Sequence, residues 1–375
     1  MNVLIAGDFC PHNRVVQIIE EGRYPSLWRN LHETLDDYDY TIVNFECPVV
    51  ENEVKPIEKI GPCLKCSSKA VESISYVGFN CVTLANNHFY DYGDEGVEDT
   101  INSLNNSKID FVGGGRSLEE ASNTLYKRIN GETLAIINCC EHEFSIATKS
   151  HGGSNPLNIL NQYKKIKEAK ERADYVVVIV HGGIEHFQLP TPRMKEIYRF
   201  FISVGADAVI NHHQHCFSGY EIYKGSPIFY GLGNFCFDWE GRRNSQWNEG
   251  YLVGLFFSKA KTTSFDIIPF CQCDSIPAVV ILQEKKHICQ KIASLNIIIE
   301  DENLLESELD SYIRSKENNI ISYLMPFGNK YVRGLCRRLF FSKGISHKKM
   351  ILLKNLFNCE SHYEILKEYF KLSVK

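Results

Sequence analysis

The stretch Ala208-Val-Ile-Asn-His-His-Gln-His215 joins a short apolar run, long enough for a buried strand, to three histidines within four residues. Histidine is the commonest metal-binding side chain, and its neutral imidazole suits zinc, iron, manganese or nickel. On an extended or turning segment, His213 and His215 point to the same side, because side chains alternate there with a period of two. The alternative is a polar loop with incidental histidines, but three of them at one strand end favour a metal site.

Four other apolar runs also end in residues that can bind a metal. These runs end at Asp8, at Asn44 and Glu46, at Asn87 and His88, and at His181. The run at residues 175–180 is nearly all β-branched, which is typical of a parallel strand covered on both faces. Helical patterns separate these runs, so the sequence predicts an α/β fold, in which functional groups gather at the carboxyl ends of strands. If the five strands are parallel neighbours, their ends meet at one edge of one sheet.

The donor set mixes carboxylate, amide and imidazole groups and contains no thiolate. Such a set favours a hydrolytic divalent site over a structural zinc site. About six or seven ligands exceed the three protein ligands typical of one catalytic metal. We therefore expect two divalent ions, of manganese, zinc or iron, bridged by a carboxylate. Arg14 and Arg116 are candidates to bind an anionic group of the substrate, the alternative for each being a surface residue.

Composition narrows the class of protein. The chain has 375 residues, of which 44% are hydrophobic and 23% are charged, as in ordinary globular proteins. A formal net charge of -5 gives no reason to expect a nucleic-acid partner. The first residues do not resemble a signal peptide, and no apolar run approaches the roughly 20 residues that a membrane span requires. Together with 14 cysteines, many of them inside apolar runs, this predicts a cytoplasmic location. The sequence does not indicate an oligomeric state.

Six segments in order, from about residue 1 to about residue 275, carry a resemblance to a known family. They are Gly7-Asp8, Asn44-Phe-Glu46, Leu84-Ala-Asn-Asn-His88 with Asp91-Tyr-Gly93, His181-Gly-Gly-Ile-Glu185, His212-His-Gln-His215 and Tyr230-Gly-Leu-Gly-Asn-Phe235. This series resembles the motifs of the CapA-like family of poly-gamma-glutamate capsule synthesis, within the calcineurin-like metallophosphatase superfamily. The resemblance implies a four-layer αββα sandwich with two central sheets and the site at their strand ends.

The resemblance also implies a role for each matched residue. The implied metal ligands are Asp8, Glu46, Asn87, His181, His213 and His215, with Glu46 as the bridging carboxylate. His88 would protonate a leaving group or steady developing charge, and Asn234 would support a ligand. Whether His212 or His213 binds the metal stays open. Cys10 stands where the superfamily often has a histidine.

The character of the sequence changes at about residue 283. We expect residues 1–282 to form the metallophosphatase-like domain and residues 283–375 to form a helical C-terminal extension. The extension carries basic pairs at Arg337-Arg338 and Lys348-Lys349. We interpret them as solvated helix faces, the alternative being a docking surface for an anionic polymer or a partner.

Three functions remain at this point. The first is a metal-dependent hydrolase of the phosphoesterase type, acting on an anionic small molecule or polymer during synthesis of a capsule or another cell-surface polymer. The second is an enzyme of the synthesis or processing of amide-linked poly-gamma-glutamate. The third is a non-catalytic, metal-stabilised accessory protein that binds a polymer or an assembly partner. His88 and Arg14 would be catalytic in the first, and a purely structural site needs no acid such as His88.

Overall fold

A computed structural model of the chain describes residues 1–258, 263–317 and 347–358, together with residues 331, 332, 334, 362, 363 and 370. The chain divides into two compact units, Met1–Glu306 and Ser307–Lys375. The strands are β1 (Asn2–Phe9), β2 (Tyr40–Phe45), β3 (Cys81–Thr83), β4 (Asp110–Val112), β5 (Gly114–Gly115), β6 (Leu125–Ile129), β7 (Glu132–Cys140), β8 (Gly153–Ser154), β9 (Tyr175–His181), β10 (Ala208–His212), β11 (Tyr220–Tyr223), β12 (Ser226–Phe229), β13 (Asn234–Cys236), β14 (Glu249–Phe256), β15 (Ser264–Gln272) and β16 (Val279–Ile281). The helices are α1 (Arg14–Glu20), α2 (Tyr24–Trp28), α3 (Leu31–Leu35), α4 (Lys69–Val77), α5 (Gly93–Asn106), α6 (Leu118–Ala121), α7 (Ile159–Arg172), α8 (Pro192–Val204), α9 (Lys286–Glu300), α10 (Glu302–Ser315) and α11 (His347–Asn358).

The strands of the first unit form two large sheets. The first sheet has the order β16-β15-β14-β1-β2-β3-β4, and β13 also pairs with β1. Strands β1 to β4 are parallel, whereas β14, β15 and β16 are antiparallel to their neighbours.

The second sheet has the order β11-β12-β10-β9-β7-β6. Its four inner strands, β12, β10, β9 and β7, are parallel, and an antiparallel strand closes each edge. The five strands with metal-binding ends are therefore not neighbours in one sheet. Three of them, β1, β2 and β3, belong to the first sheet, and β9 and β10 belong to the second. The condition for a single sheet edge is therefore not met, because the chain leaves the first sheet after β4 and starts a second.

Alternation along each strand sorts its side chains into two cores. In β1, Val3 and Ile5 point into a core shared with Val177 of β9 in the second sheet. Leu4 of the same strand points the other way, into the core beneath α1 to α5. Helices α7 and α8 pack on the opposite face of the second sheet. The α/β fold with four αββα layers is therefore confirmed.

Local sequence explains the helix that leads into the histidine-bearing strand. Helix α8 begins after Thr191, whose side chain accepts a hydrogen bond from the backbone N–H of Met194, and Pro192 fills its first position. It ends at Gly205, whose φ of 130° is one that side-chain-bearing residues rarely adopt. The chain then turns directly into β10.

The helices predicted beyond residue 283 are present where the structure describes the chain. Ile288 and Ile292 of α9 pack into the core between the sheets, so α9 belongs to the first compact unit. Arg337 and Arg338 lie outside the described residues, and the domain division at residue 282 stays a prediction. None of the described helices is long and apolar enough to cross a membrane. The cytoplasmic location stays a prediction as well.

Candidate metal centre

The ends of five strands from both sheets meet at one place. Backbone register sets Asp8 of β1 beside Asn44 of β2, and His181 of β9 beside His212 of β10. The side chain of Asn44 links these pairs, since its Nδ2 donates to Asp8 Oδ1 at 2.7 Å and lies 3.4 Å from His181 Nδ1. The two sheets thus present their carboxyl ends to a common site.

The first group of donor atoms is built around His181. Its Nε2 lies 3.0 Å from Asn87 Oδ1, 3.1 Å from His213 Nδ1 and 3.5 Å from Glu46 Oε1. Ligand atoms of Glu46, His181 and His213 all lie within 4.8 Å of one another. Burial, followed by the neighbouring His213, lowers the pKa of His181 well below its ordinary value. His181 is therefore neutral at pH 7, which is the form that binds a metal.

A second group of donor atoms shares Glu46 with the first. It consists of Asp8, Glu46 and His215, whose ligand atoms again lie within 4.8 Å of one another. His215 Nδ1 is 3.9 Å from Asp8 Oδ2 and 2.9 Å from Asn234 Oδ1. Because Asn234 Nδ2 donates to the backbone carbonyl of His215, its Oδ1 faces the ring and accepts. Asn234 therefore fixes the orientation of His215, as expected of a group that supports a ligand.

The environment of the Glu46 carboxylate shows whether these residues suit a metal ion. Its side chain is fully buried, and neither carboxylate oxygen has a hydrogen-bond partner among the described residues. Burial, followed by the charge of Asp8, raises the pKa of Glu46 well above its ordinary value. A buried carboxylate without hydrogen bonds is stabilised by a proton or by a cation. The orphaned oxygens of Glu46, lying in both donor groups, fit a bridging metal ligand.

Asp8 has a comparable environment. Burial raises its pKa to about 7, although Asn44 and the backbone N–H of His213 donate hydrogen bonds to it. The carboxylates of Asp8 and Glu46 are thus buried close together, where a nearby positive charge stabilises their negative charges most strongly.

The two candidates at the end of β10 occupy different places. His213 belongs to the first donor group, whereas His212 Nδ1 lies 3.6 Å from Asp8 Oδ1. Both ring nitrogens of His212 are buried without a hydrogen-bond partner among the described residues, and burial lowers its pKa to about 3. His212 therefore also faces the site as a neutral imidazole, next to Asp8.

The backbone of this segment differs from the extended form. His213 and His215 have φ values of 93° and 56°, in a region that non-glycine residues seldom occupy. Their convergence does not come from strand alternation, as the sequence pattern predicts, but from a turn with two left-handed residues. Backbone strain of this kind persists where surrounding contacts fix it, and it clusters at functional sites.

His88 lies in a network of charged groups. Its Nδ1 is 2.7 Å from Asp91 Oδ2 and 3.2 Å from Lys59 Nζ, and Lys59 also forms an ion pair with Asp91. Asp91 Oδ2 accepts a further hydrogen bond from the backbone N–H of Leu64 at 2.7 Å. The side chains of His88, Asp91 and Lys59 are almost inaccessible to solvent. An imidazole held at Nδ1 by a carboxylate keeps Nε2 for another partner, which suits a proton donor.

Arg14 takes part in a different set of contacts. Its guanidinium forms hydrogen bonds of 2.8 Å with both carboxylate oxygens of Asp238, and it donates to the carbonyls of Cys273 and Asp274. These contacts fasten the first turn of α1 to the loop after β15. A role for Arg14 in substrate binding stays a prediction. Arg116 likewise contacts acidic neighbours, Glu98 and Glu120.

Two residues of the site were missed in the sequence. Glu143 Oε1 lies 3.6 Å from His213 Nε2, and Glu143 follows the end of β7, a parallel neighbour of β9. Glu143 could have been found in the sequence, because functional groups gather at the carboxyl ends of parallel strands such as β7. Lys59 lies in a long loop without regular structure or motif, so only the fold brings it to His88.

The chain is similar to several known proteins. The family model described as bacterial capsule synthesis protein PGA_cap matches residues 2–239. Capsule biosynthesis protein CapA of Bacillus anthracis is 32% identical over 279 residues, which cover 72% of this chain and 67% of the relative. PGA biosynthesis protein CapA of Bacillus subtilis (strain 168) is 31% identical over 286 residues, covering 75% and 74%. Among solved structures, a putative 5'-nucleotidase from Staphylococcus aureus in complex with alpha-ketoglutarate is 14% identical, with a TM-score of 0.43 and coverage of 78% of this chain and 58% of that one.

Proposed function

Because the chain belongs to the bacterial capsule synthesis protein family PGA_cap, we propose that it is a metal-dependent hydrolase acting in the synthesis of a capsule or another cell-surface polymer. The proposed reaction is hydrolysis of a phosphoester or a related bond. One observation carries this proposal: the orphaned carboxylate of Glu46 belongs to two groups of potential metal ligands.

The donor atoms agree with two divalent ions of manganese, zinc or iron. Glu46, His181 and His213, with Asn87, would hold one ion, and Asp8, Glu46 and His215 would hold the other. Oxygen and imidazole donors without thiolate suit these metals. When bound, such a pair of ions supplies Lewis-acid polarisation of a phosphoryl oxygen and a water of lowered pKa.

The remaining polar residues would orient these ligands and move a proton. Asn234 accepts a hydrogen bond from His215 Nδ1 and so fixes the direction of this ring, and Glu143, 3.6 Å from His213 Nε2, would orient the ring of His213 by charge. His88 would carry a proton at Nε2 and give it to the leaving oxygen, while Asp91 at Nδ1 stabilises the charged ring. We propose that the anionic substrate binds at this site.

A role in the synthesis or processing of amide-linked poly-gamma-glutamate is the second candidate. The name of the Bacillus subtilis relative, PGA biosynthesis protein CapA, favours it. A metal-stabilised accessory protein is the third. The network of His88, Asp91 and Lys59 argues against the third, because a purely structural metal site needs no positioned proton donor.

Elemental analysis of the purified chain, paired with hydrolysis of p-nitrophenyl phosphate in manganese, zinc, iron or magnesium, tests the proposal. We expect about two equivalents of metal, one for each donor group, and activity that requires it. Replacement His88→Ala should lower kcat by about 10²- to 10⁴-fold and leave the metal content unchanged. Exposed His287→Ala is the matched control.

Two results would contradict the proposal. A chain that holds no metal even after reconstitution would remove the basis of the site. Metal at full occupancy, with no hydrolysis of any phosphoester tried, would instead favour the accessory role. Loss of metal in His88→Ala would reassign His88 as a ligand.

A further inference from the structure

A cavity of about 170 Å³ opens beside the second donor group. His215 forms part of its wall, so the cavity adjoins the candidate metal centre directly. Pockets that enclose a whole small ligand usually measure about 300–1,000 Å³. The cavity therefore suits one group of a larger substrate whose reacting bond lies at the metal centre.

Trp247 provides a rigid wall of this cavity. Its ring centroid is 4.7 Å from that of His215, and only 6% of the residue is exposed. The indole N–H donates to the carbonyl of Phe237 at 2.6 Å, and the backbone N–H of Trp247 donates to Ser245 Oγ. The position of the indole is thus fixed before any substrate arrives, and little ordering is needed on binding.

Arg242 supplies positive charge at the same cavity. It ends a short 3-10 turn, Glu240–Arg242, and is solvent-exposed. Its Nη2 lies 3.1 Å from His186 Nε2, and the His186 ring lies 6.0 Å from both His215 and Trp247. Glu185 Oε2 is 4.0 Å from His186 Nε2, so one carboxylate is also near. The guanidinium fork matches carboxylate and phosphate oxygens, which it can bind through two parallel hydrogen bonds.

We infer that this cavity binds an anionic group, a carboxylate or a phosphate, which the substrate carries next to its reacting bond. Arg242 is its charged partner, and Trp247 is the face against which the group packs. The inference rests on the proposed function in one respect only: it assumes that the substrate reaches the metal centre. It assigns to the protein a preference for substrates with a second negative charge.

Binding of small probes tests this inference without turnover. Glutarate and inorganic phosphate are titrated separately into the full-length chain, and binding is measured by calorimetry and by tryptophan fluorescence. Replacement Arg242→Gln should weaken binding of the recognised probe by about 10- to 100-fold, the range for a charge-assisted hydrogen bond. Arg172→Gln, an exposed arginine of α7 paired with Glu168, is the matched control and should bind as the unmodified chain does.

A kinetic comparison separates this inference from the proposed function. The ratio of kcat/KM for 4-carboxyphenyl phosphate to that for phenyl phosphate should exceed one and should fall in Arg242→Gln. Hydrolysis of both esters with an unchanged ratio would overturn the inference and leave the hydrolase intact. Probe binding that depends on Arg242, without hydrolysis of either ester, would support the cavity and contradict the hydrolase. Equal binding by Arg242→Gln, or no binding of either probe, would also overturn the inference.

Discussion

Replacement Glu46→Gln offers a sharp test of a shared ligand, because it changes one atom type at a side chain that belongs to both donor groups. Each group then loses one of its metal-binding side chains. Loss of a group that merely orients a ligand already lowers metal affinity by about 10- to 100-fold. We expect Glu46→Gln to lower affinity at both sites by more than that, so that the purified variant holds almost no metal.

Replacement His213→Ala should behave differently. His213 belongs only to the group of Glu46 and His181, so we expect its loss to reduce the bound metal from two equivalents to one. An ion present at 100 times its Kd stabilises the folded state by about 2.7 kcal/mol. Metal should therefore stabilise the unmodified chain by about 5 kcal/mol, His213→Ala by about half of that, and Glu46→Gln hardly at all.

Elemental analysis measures the stoichiometry, and urea unfolding with and without added metal measures the free energy of unfolding. Without metal, Glu46→Gln should be at least as stable as the unmodified chain, because glutamine resembles the protonated form that burial favours at this position. That comparison separates a lost ligand from a damaged fold. One equivalent of metal retained by Glu46→Gln would refute the assignment of Glu46 as the shared ligand, and two retained by His213→Ala would refute the place of His213 in the first donor group.

Glu143→Gln should weaken metal binding at the His213 site by about 10-fold or more, as measured by competition with a chelating dye. Glu141→Gln on the same loop is the control. Equal effects of the two replacements would contradict a specific contact between Glu143 and His213. Asp238→Asn should lower the free energy of unfolding by about 2 kcal/mol, because it breaks a buried ion pair whose partner Arg14 stays partly hydrated. A change under about 0.5 kcal/mol in urea unfolding would argue against a stabilising ion pair. Its arginine partners lower the pKa of Asp238 below the ordinary 3.8. The contribution of Asp238 is therefore fully present above about pH 4 and lost as the pH falls through the lowered value, so the difference between the two chains should shrink under acid conditions and not under alkaline ones.

The sequence predicted the elements of the site better than their arrangement. Asp8, Glu46, Asn87 and His181 could be assigned to strand ends from the sequence. Each follows an apolar run, and the local sequence determines both the burial and the length of a strand. The division of these strands between two sheets is a tertiary feature. Local patterns cannot reveal it, since a parallel strand looks alike in either sheet.

Contacts between distant residues account for the rest. Arg14 follows the first strand closely, which suggested that it reaches the site, but Asp238 accepts its hydrogen bonds from 224 residues away. Lys59 reaches His88 through a loop without a recognisable pattern. The left-handed conformations of His213 and His215 also depend on surrounding contacts, because positive φ values are uncommon for any residue other than glycine.

The position of β1 at the centre of the first sheet constrains the order in which the protein can be completed during synthesis. Its partners β13 and β14 come from residues 234–256, so β1 waits for these later residues before its ladder is filled. Asp8 likewise meets the backbone of His213, which lies 205 positions further along the chain. Closing such long loops is slow compared with local structure formation. An early fragment therefore holds Asp8 and Glu46 but not His181, His213 and His215, so the proposed metal site cannot form until both of its parts exist.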